Sequence, residues 1–326
     1  MDFRPDRRTL LRLAALAPAF ALPAALAQPL RAQLGAPAAP QSGGFFRLTL
    51  GAMPLTVISD GHLVLPTTVL GVNADRAEVL AFLEAHFESV ENVYSHTNTL
   101  VVDAGPNRVL IDVGSGSHFQ PTAGRLMANL ALAAIEPASI THVAISHAHP
   151  DHLFGILDAE GNPVLTQAQV VIGAAEHGFW TAEGLENQFP QEMRFLVQGA
   201  VRSLDAVKDR LVLKQDGEEI VPGLRYMATL GHTPGHMSVV IESEDRRLLF
   251  TGDAVTHAQI SFERPGWAFG FDADAAGAVA TRQRLLEMAV AERMPMLGFH
   301  FPFPGIGHAV KDGDAYRFIP ALWQWG

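Results

Sequence analysis

The run Ser146-His147-Ala148-His149-Pro150-Asp151-His152 constrains this chain more than any other segment. It places three imidazoles and a carboxylate directly after the apolar stretch Thr141-His142-Val143-Ala144-Ile145. A strand that ends this way presents nitrogen and oxygen donors at one edge of a sheet. That donor set suits zinc and other late first-row divalent metals. His147 and His149 are two apart, so on an extended chain they point the same way. Asp151 and His152 then face a second position as the chain turns, and one loop can feed two metal sites. The remaining donors should lie elsewhere at the same edge. Gly231-His232-Thr233-Pro234-Gly235-His236 follows the apolar stretch Leu224 to Leu230. Leu248-Leu249-Phe250-Thr251-Gly252-Asp253 ends in a carboxylate, and Met296-Leu297-Gly298-Phe299-His300 ends in an imidazole. Several strand-like runs that each end in a metal-competent side chain are what a site at the edge of a sheet sandwich requires.

Composition removes several function classes. The chain has no cysteine, which excludes thiolate ligands, a cysteine nucleophile and iron–sulfur clusters. If exported, it has no disulfides and depends on its core and metals for stability. The formal net charge is −11. An acidic surface repels phosphate polymers, so nucleic acid is not an expected partner. Residues 1–27 read as a twin-arginine-type signal peptide. Asp6-Arg7-Arg8-Thr9-Leu10-Leu11-Arg12 precedes an alanine- and leucine-rich run, and Ala25-Leu26-Ala27 offers a small-x-small cleavage site. Residues 28–44 are rich in Ala, Pro, Gln and Gly and read as a flexible arm. Residues 45–326 then form one hydrolase domain, expected in the periplasm or secreted, with no membrane association after processing.

Short β-branched runs predict strands over Phe46–Leu50, Leu55–Ser59, Asn98–Val102 and Val109–Val113. Apolar spacing predicts helices over Asp75–Phe87, Thr122–Ile135, Gln188–Val207 and Asp272–Met294. A further helix should start at Asp151, as both its cap and a ligand. Asp272 and Asp274 suit a helix N-terminus. Strands and helices alternate in two halves. The fold class is therefore α+β, a four-layer αββα sandwich.

The motif order H-x-H-x-D-H, G-H-T-P-G-H, T-G-D and a late histidine resembles the metallo-β-lactamase superfamily, over about Phe46 to the C-terminus. Val57-Ile58-Ser59-Asp60-Gly61, Phe119 to Leu126, Gly178-Phe179-Trp180 and Phe303 to His308 resemble its methyl parathion hydrolase and dihydrocoumarin-type lactonase branch. The resemblance implies two divalent metal ions, zinc foremost, with manganese, cobalt or iron accepted by the same donors. It assigns one metal to His147, His149 and His232, the other to Asp151, His152 and His300, and the bridge to Asp253. It further implies that a hydroxide shared by the metals attacks a lactone or aryl ester, with phosphotriesterase activity alongside.

Other residues carry expectations of their own. Asp60 should accept the second N–H of a ligating imidazole, or else act as a turn residue before Gly61. His236 is expected near the metals without ligating them, and Asp112 is expected to be structural. Thr256 and His257 follow the bridging carboxylate and are candidates for polarising the substrate and for protonating the leaving group. Some superfamily lactonases carry a tyrosine where this chain has Thr256, which departs from the acyl-homoserine-lactone type. Phe119, Trp180 and Phe195 resemble the aromatics of a leaving-group pocket; core packing is the alternative. The partner is a small molecule with an ester-type bond. The apolar tail Phe318 to Trp323 is a candidate homodimer surface. Three other activities compete: an organophosphate triesterase, a β-lactamase and a mononuclear iron sulfur dioxygenase. The complete second donor set and the F-P-G-I-G-H tail argue against the last two.

Overall fold

In the computed structural model, residues 44–322 are described. The signal peptide and nearly all of the arm expected at the N-terminus lie outside them, as does Trp323 of the apolar tail. Among the described residues, two seven-stranded sheets pack face to face. The first runs β1 (Phe45–Leu50), β2 (Met53–Pro66), β3 (Asn92–Ala104), β4 (Asn107–Ile111), β5 (His142–Ile145), β6 (Gln169–Gly173), β7 (Leu211–Lys214). It is antiparallel from β1 to β4 and parallel from β4 to β7. The second contains β8 (Glu219–Val221), β9 (Leu224–Ala228), β10 (Met237–Ser243), β11 (Arg246–Phe250), β12 (Met296–Leu297), β13 (Ile306–Asp312) and β14 (Ala315–Pro320), in order β14 to β8. Its one parallel pairing joins β11 to β12.

Alternation along the strands explains the four layers. Ala144 of β5 faces the inter-sheet core with Val57, Leu100, Tyr226, Val239 and Phe250. Its neighbours Val143 and Ile145 face outward, beneath the helices α2 (Leu126–Leu132) and α5 (Arg194–Asp205). On the other side, Leu248 and Phe250 of β11 point into the same core, while Leu249 packs under α7 (Ala275–Ala291). The remaining helices are α1 (Arg76–Ala85), α3 (Pro150–Leu153), α4 (Ala174–Trp180) and α6 (Ile260–Glu263). No described helix is long and apolar enough to cross a membrane.

Several boundaries differ from expectation for identifiable reasons. β2 does not stop at Ser59: a β-bulge shifts the register between Ser59 and Gly61, and the strand runs on to Pro66. Gly61 takes φ 117° there. The helix expected from Thr122 begins only at Leu126, because the Gly124 and Leu126 amides are held by the Asp60 carboxylate. Pro190 splits the segment expected as one helix from Gln188, and α5 starts at Arg194. Asp151 is not a cap: His149 occupies that position, Pro150 opens α3, and Asp151 is buried in its first turn. The candidate dimer tail is partly used internally. Phe318 packs on Phe301 and Phe262, with ring centroids 4.9 and 5.3 Å apart.

The end of α1 is unusual. The Phe87 amide donates to the Glu84 carbonyl (3.1 Å) and the Glu88 amide to Leu83 (2.9 Å), a Schellman arrangement. The left-handed position, normally glycine, is Phe87 at φ 59°, with its side chain 99% exposed. A left-handed L-residue costs about 1 kcal/mol, partly offset by glycine's extra unfolded-state freedom. Phe87→Gly is therefore expected to raise stability by about 0.5 kcal/mol in denaturant unfolding. A lower midpoint would show that Phe87 has a stabilising partner.

Candidate metal centre

The donor-bearing loops all leave the sheets at one edge. β5 delivers His147, His149, Asp151 and His152, and the β9–β10 turn delivers His232. β11 leads into Asp253 and β12 into His300. Their donor atoms form two groups: His147, His149, His232 and Asp253, and Asp151, His152 and His300, with the atoms of each group within 4.8 Å of one another. In the first group His149 Nδ1 lies 3.0 Å from His147 Nε2 and 2.9 Å from His232 Nε2. In the second, His300 Nε2 is 3.4 Å and His152 Nε2 3.5 Å from Asp151 Oδ2. Asp253 faces both. Its Oδ2 is 3.2 Å from His232 Nε2 and 3.2 Å from His300 Nε2, and its Oδ1 is 3.2 Å from His152 Nε2.

The chemistry of this cluster fits two cations. Asp151 Oδ2, His152 Nε2 and Asp253 Oδ1 are buried and make no hydrogen bond. Unpaired buried polar atoms are costly. Here they converge on one another's neighbourhood with nitrogen and oxygen lone pairs, which divalent metals satisfy.

Electrostatics divide the two groups. Burial, then the neighbouring imidazoles His152 and His149, pushes His147 well below the usual imidazole range. Burial and His232 do the same to His149. Both are therefore neutral, the form that ligates. For His152, burial opposes charge, but Asp253, Asp151 and Asp112 outweigh it and raise the imidazole well above its usual range. Burial likewise opposes charge on His300, and Asp253 leads the carboxylates that raise it. A cation at the second group therefore displaces protons as it binds.

Three of the rings are aimed from behind. His152 Nδ1–H donates to Asp112 Oδ2 (2.8 Å), and that carboxylate also takes the Ser146 amide (2.7 Å) and hydroxyl (2.8 Å). His232 Nδ1–H donates to Asp272 Oδ1 (2.9 Å), and His300 Nδ1–H to the His96 carbonyl (2.7 Å). This leaves the Nε2 atoms of these three rings facing the cluster, those of His152 and His300 giving up their protons as a cation binds. His236 does not join the donor groups. Its Nε2 accepts the Asp253 amide (2.9 Å), so Nδ1 carries the proton and donates to Thr229 Oγ1 (2.8 Å). Burial, followed by His232, lowers its pKa to about 3, and it stays neutral. Gly252, at φ 50°, makes this contact possible, because a Cβ there would sit 2.7 Å from His236 Nε2.

Two expectations about supporting residues are corrected. Asp60 touches no ligand imidazole; its carboxylate takes the amides of Ser115 (2.8 Å), Gly124 (3.0 Å) and Leu126 (2.8 Å). Burial raises its pKa to about 6 against those three donors. Asp112, expected to be structural, holds His152 instead. The sequence reading also missed Glu176. Its buried carboxylate takes the Ala148 amide (2.9 Å) and Trp180 Nε1–H (2.6 Å) on Oε1, and the Thr233 hydroxyl (2.6 Å) and Gly235 amide (3.1 Å) on Oε2. It ties the His147–His149 loop to the His232 loop. Burial pushes it above the usual carboxylate range, and these four donors oppose that. Nothing local marks it in Ala174-Ala175-Glu176-His177, which reads as a surface helix turn. Outer partners of metal ligands typically tune affinity by about 10–100-fold. Asp112→Asn should weaken the Asp151–His152–His300 group on that scale, and Glu176→Gln the other group. Competition with a chromogenic chelator measures both; unchanged affinity in either variant would remove that residue's assigned role.

The aromatic pocket residues separate. Trp180 is buried in the core, edge-on to His149 at 5.6 Å. Phe119 and Phe195 stack at 6.2 Å, and neither makes a ring contact with a donor imidazole among the described residues. A cleft of about 390 Å³ opens beside His300 and is lined by Thr256 and His257, not by those three aromatics. His257 does not aim a free nitrogen at the metal ligands. Its Nδ1 accepts the amides of Gln259 (3.3 Å) and Ile260 (3.2 Å), and Nε2–H donates to Glu88 (3.1 Å).

Comparison with known proteins agrees with this architecture. The family model described as Metallo-beta-lactamase superfamily matches residues 94–295. An N-acyl homoserine lactonase of Bacillus cereus is 24% identical over 196 residues, 60% of this chain and 66% of that protein. A lactamase-like protein, nscB, of Aspergillus fumigatus is 32% identical over 49% of this chain and 37% of its own length. The chain thus spans less than two thirds of these relatives. Among solved structures, AidC, a dizinc quorum-quenching lactonase, superimposes with a TM-score of 0.82 at 25% identity, covering 86% of this chain and 98% of AidC. The hydrolase AbOPH gives 0.82 at 26% identity, covering 87% and 100%. With the two-sheet fold and the donor order both in place, the chain belongs to the metallo-beta-lactamase superfamily.

Proposed function

We propose that this protein is a dinuclear metal-dependent hydrolase that opens lactones, with zinc the foremost candidate metal. The observation that carries the reading is the pair of buried donor groups sharing Asp253, in a fold similar to that of AidC. His147, His149 and His232 would hold one cation, Asp151, His152 and His300 the other, and Asp253 both. When bound, two such cations supply Lewis acidity and a water acidic enough to react near neutral pH. The chain's part is positioning. Asp112, Asp272 and the His96 carbonyl fix the ring tautomers. His236 fixes the Asp253 backbone, and Glu176 fixes the spacing of two loops. Thr256 lines the cleft beside His300, where a substrate oxygen could be oriented. Export through the twin-arginine route is part of the same reading and rests on Arg7, Arg8 and the apolar run that follows.

The test is a rate comparison on the zinc-loaded protein with an N-acyl homoserine lactone, dihydrocoumarin, an aryl phosphotriester and a cephalosporin. The lactones should give the highest kcat/KM. Faster turnover of the phosphotriester or the cephalosporin, or no hydrolysis of any of them, would overturn the reading.

A further inference from the structure

The cleft beside His300 contains a carboxylate that the chemistry above leaves unused. Glu88 sits on its wall, 3.1 Å from His257. Its backbone is fixed by the Schellman turn at the end of α1, through the Glu88 amide to the Leu83 carbonyl (2.9 Å). Its side chain is fixed by His257, whose tautomer is set by the two amides on Nδ1. One carboxylate is thus held from both ends while its side chain remains 27% exposed.

The two other imidazoles of the wall, besides His300 and His257, have partners of their own. His86 donates through Nδ1 to the Phe82 carbonyl (2.8 Å) and faces Glu263 through Nε2 (3.0 Å). His96 Nδ1 takes the Phe303 amide (3.4 Å). The described lining includes no lysine and no arginine. Apolar walls come from Leu65, Leu70, Val93 and Phe269. At the rim stand two exposed aromatics, Tyr94 at 59% and Phe87 at 99%. Phe87 keeps its side chain there at the cost of a left-handed backbone, and such strain concentrates at ligand sites.

From this geometry we infer that Glu88 is a specificity-determining residue. It accepts a hydrogen bond from an uncharged substrate that carries an N–H donor, such as an amide, next to its lactone, and it disfavours substrates that carry a carboxylate. A fixed carboxylate gains a charge-assisted bond from an amide N–H. The same carboxylate repels an anion on a wall whose described lining has no lysine or arginine, inside a chain of net charge −11. The apolar walls and rim aromatics then cover the acyl part. The inference rests on the lactonase reading and names the substrate feature that reading leaves open.

The test compares wild type, Glu88→Gln and Glu88→Leu, each zinc-loaded, with melting temperature and metal content as folding controls. The readout is the ratio of kcat/KM for an N-acyl homoserine lactone to that for an alkyl lactone of matched length without the amide. A matched lactone bearing a carboxylate gives a second ratio to the same alkyl lactone. Glu88→Leu should lower the amide ratio by about tenfold, the scale of one charge-assisted hydrogen bond. Glu88→Gln keeps an acceptor but loses the charge, so it should lower the amide ratio by less and raise the carboxylate ratio by about tenfold. If Glu88→Leu does not fold, the two ratios of Glu88→Gln decide. Wild-type hydrolysis of both neutral lactones with ratios unchanged within about twofold would overturn the role of Glu88 alone. No hydrolysis of any lactone by the zinc-loaded wild type would overturn the lactonase reading, and this inference with it.

Discussion

Asp253→Ala is expected to lower kcat/KM for lactone hydrolysis by on the order of 10³-fold, about 4 kcal/mol in the barrier. Among the described residues, Asp253 is the carboxylate whose oxygens approach imidazoles of both donor groups. Its Oδ2 approaches His232 and His300, and its Oδ1 approaches His152, all at 3.2 Å. Removing it leaves the two groups without a shared ligand and takes away the negative charge that offsets two adjacent cations. The loss should appear first in metal content, with one cation retained per chain instead of two. The backbone should survive, because His236 holds the Asp253 amide rather than its side chain. Steady-state kinetics beside metal analysis checks this. A variant with two metals and activity within tenfold of wild type would remove Asp253 from the role assigned to it.

Metal removal should produce the largest change in stability. The edge of the sandwich buries Asp112, Asp151, Asp253 and Glu176 close to the five imidazoles of the two donor groups. Three donor atoms there lack hydrogen bonds. Cations that bind the folded chain alone stabilise it by about 4 kcal/mol each at a thousandfold excess over Kd, or about 8 kcal/mol for two. In a domain of this size that corresponds to a fall in Tm of 10 °C or more on chelation, since about 1 kcal/mol moves Tm by 2–4 °C. Differential scanning calorimetry with and without chelator measures it, and re-addition of zinc should restore the midpoint. A Tm unaffected by chelation would mean that the cluster is stable as a purely hydrogen-bonded network.

The donor order was legible in the chain because each donor follows an apolar run, and strand ends at one sheet edge are local features. His147, His149, Asp151, His152, His232, Asp253 and His300 lie together where such strand ends meet. Long-range pairing was less legible. β2 and β3 continue past their apparent ends because a bulge at Asp60 and Gly61 absorbs the turn signal. The place of Asp60 in S-D-G allows either a partner of a metal ligand or a turn residue before Gly61, yet its carboxylate reaches across to the Ser115, Gly124 and Leu126 amides. Asp272 looked like a helix-start residue. Asp274 caps α7 instead, while Asp272 turns inward to His232. Glu176 and Glu88 carried no local signal at all. Their roles arise from loops brought together by the fold, the first with residues up to 59 positions away and the second with a partner 169 positions away. Carboxylates that serve distant amides and imidazoles cannot be told from surface acids by spacing.

The central claim is that two cations, held by the paired donor groups, make this chain a lactone hydrolase. The direct measurement is a titration of metal-free protein with zinc, following the initial rate of lactone hydrolysis at each addition. The rate should climb to a sharp plateau at two equivalents per chain. A plateau at one equivalent, or a chain that binds zinc and hydrolyses no lactone at any loading, would contradict it.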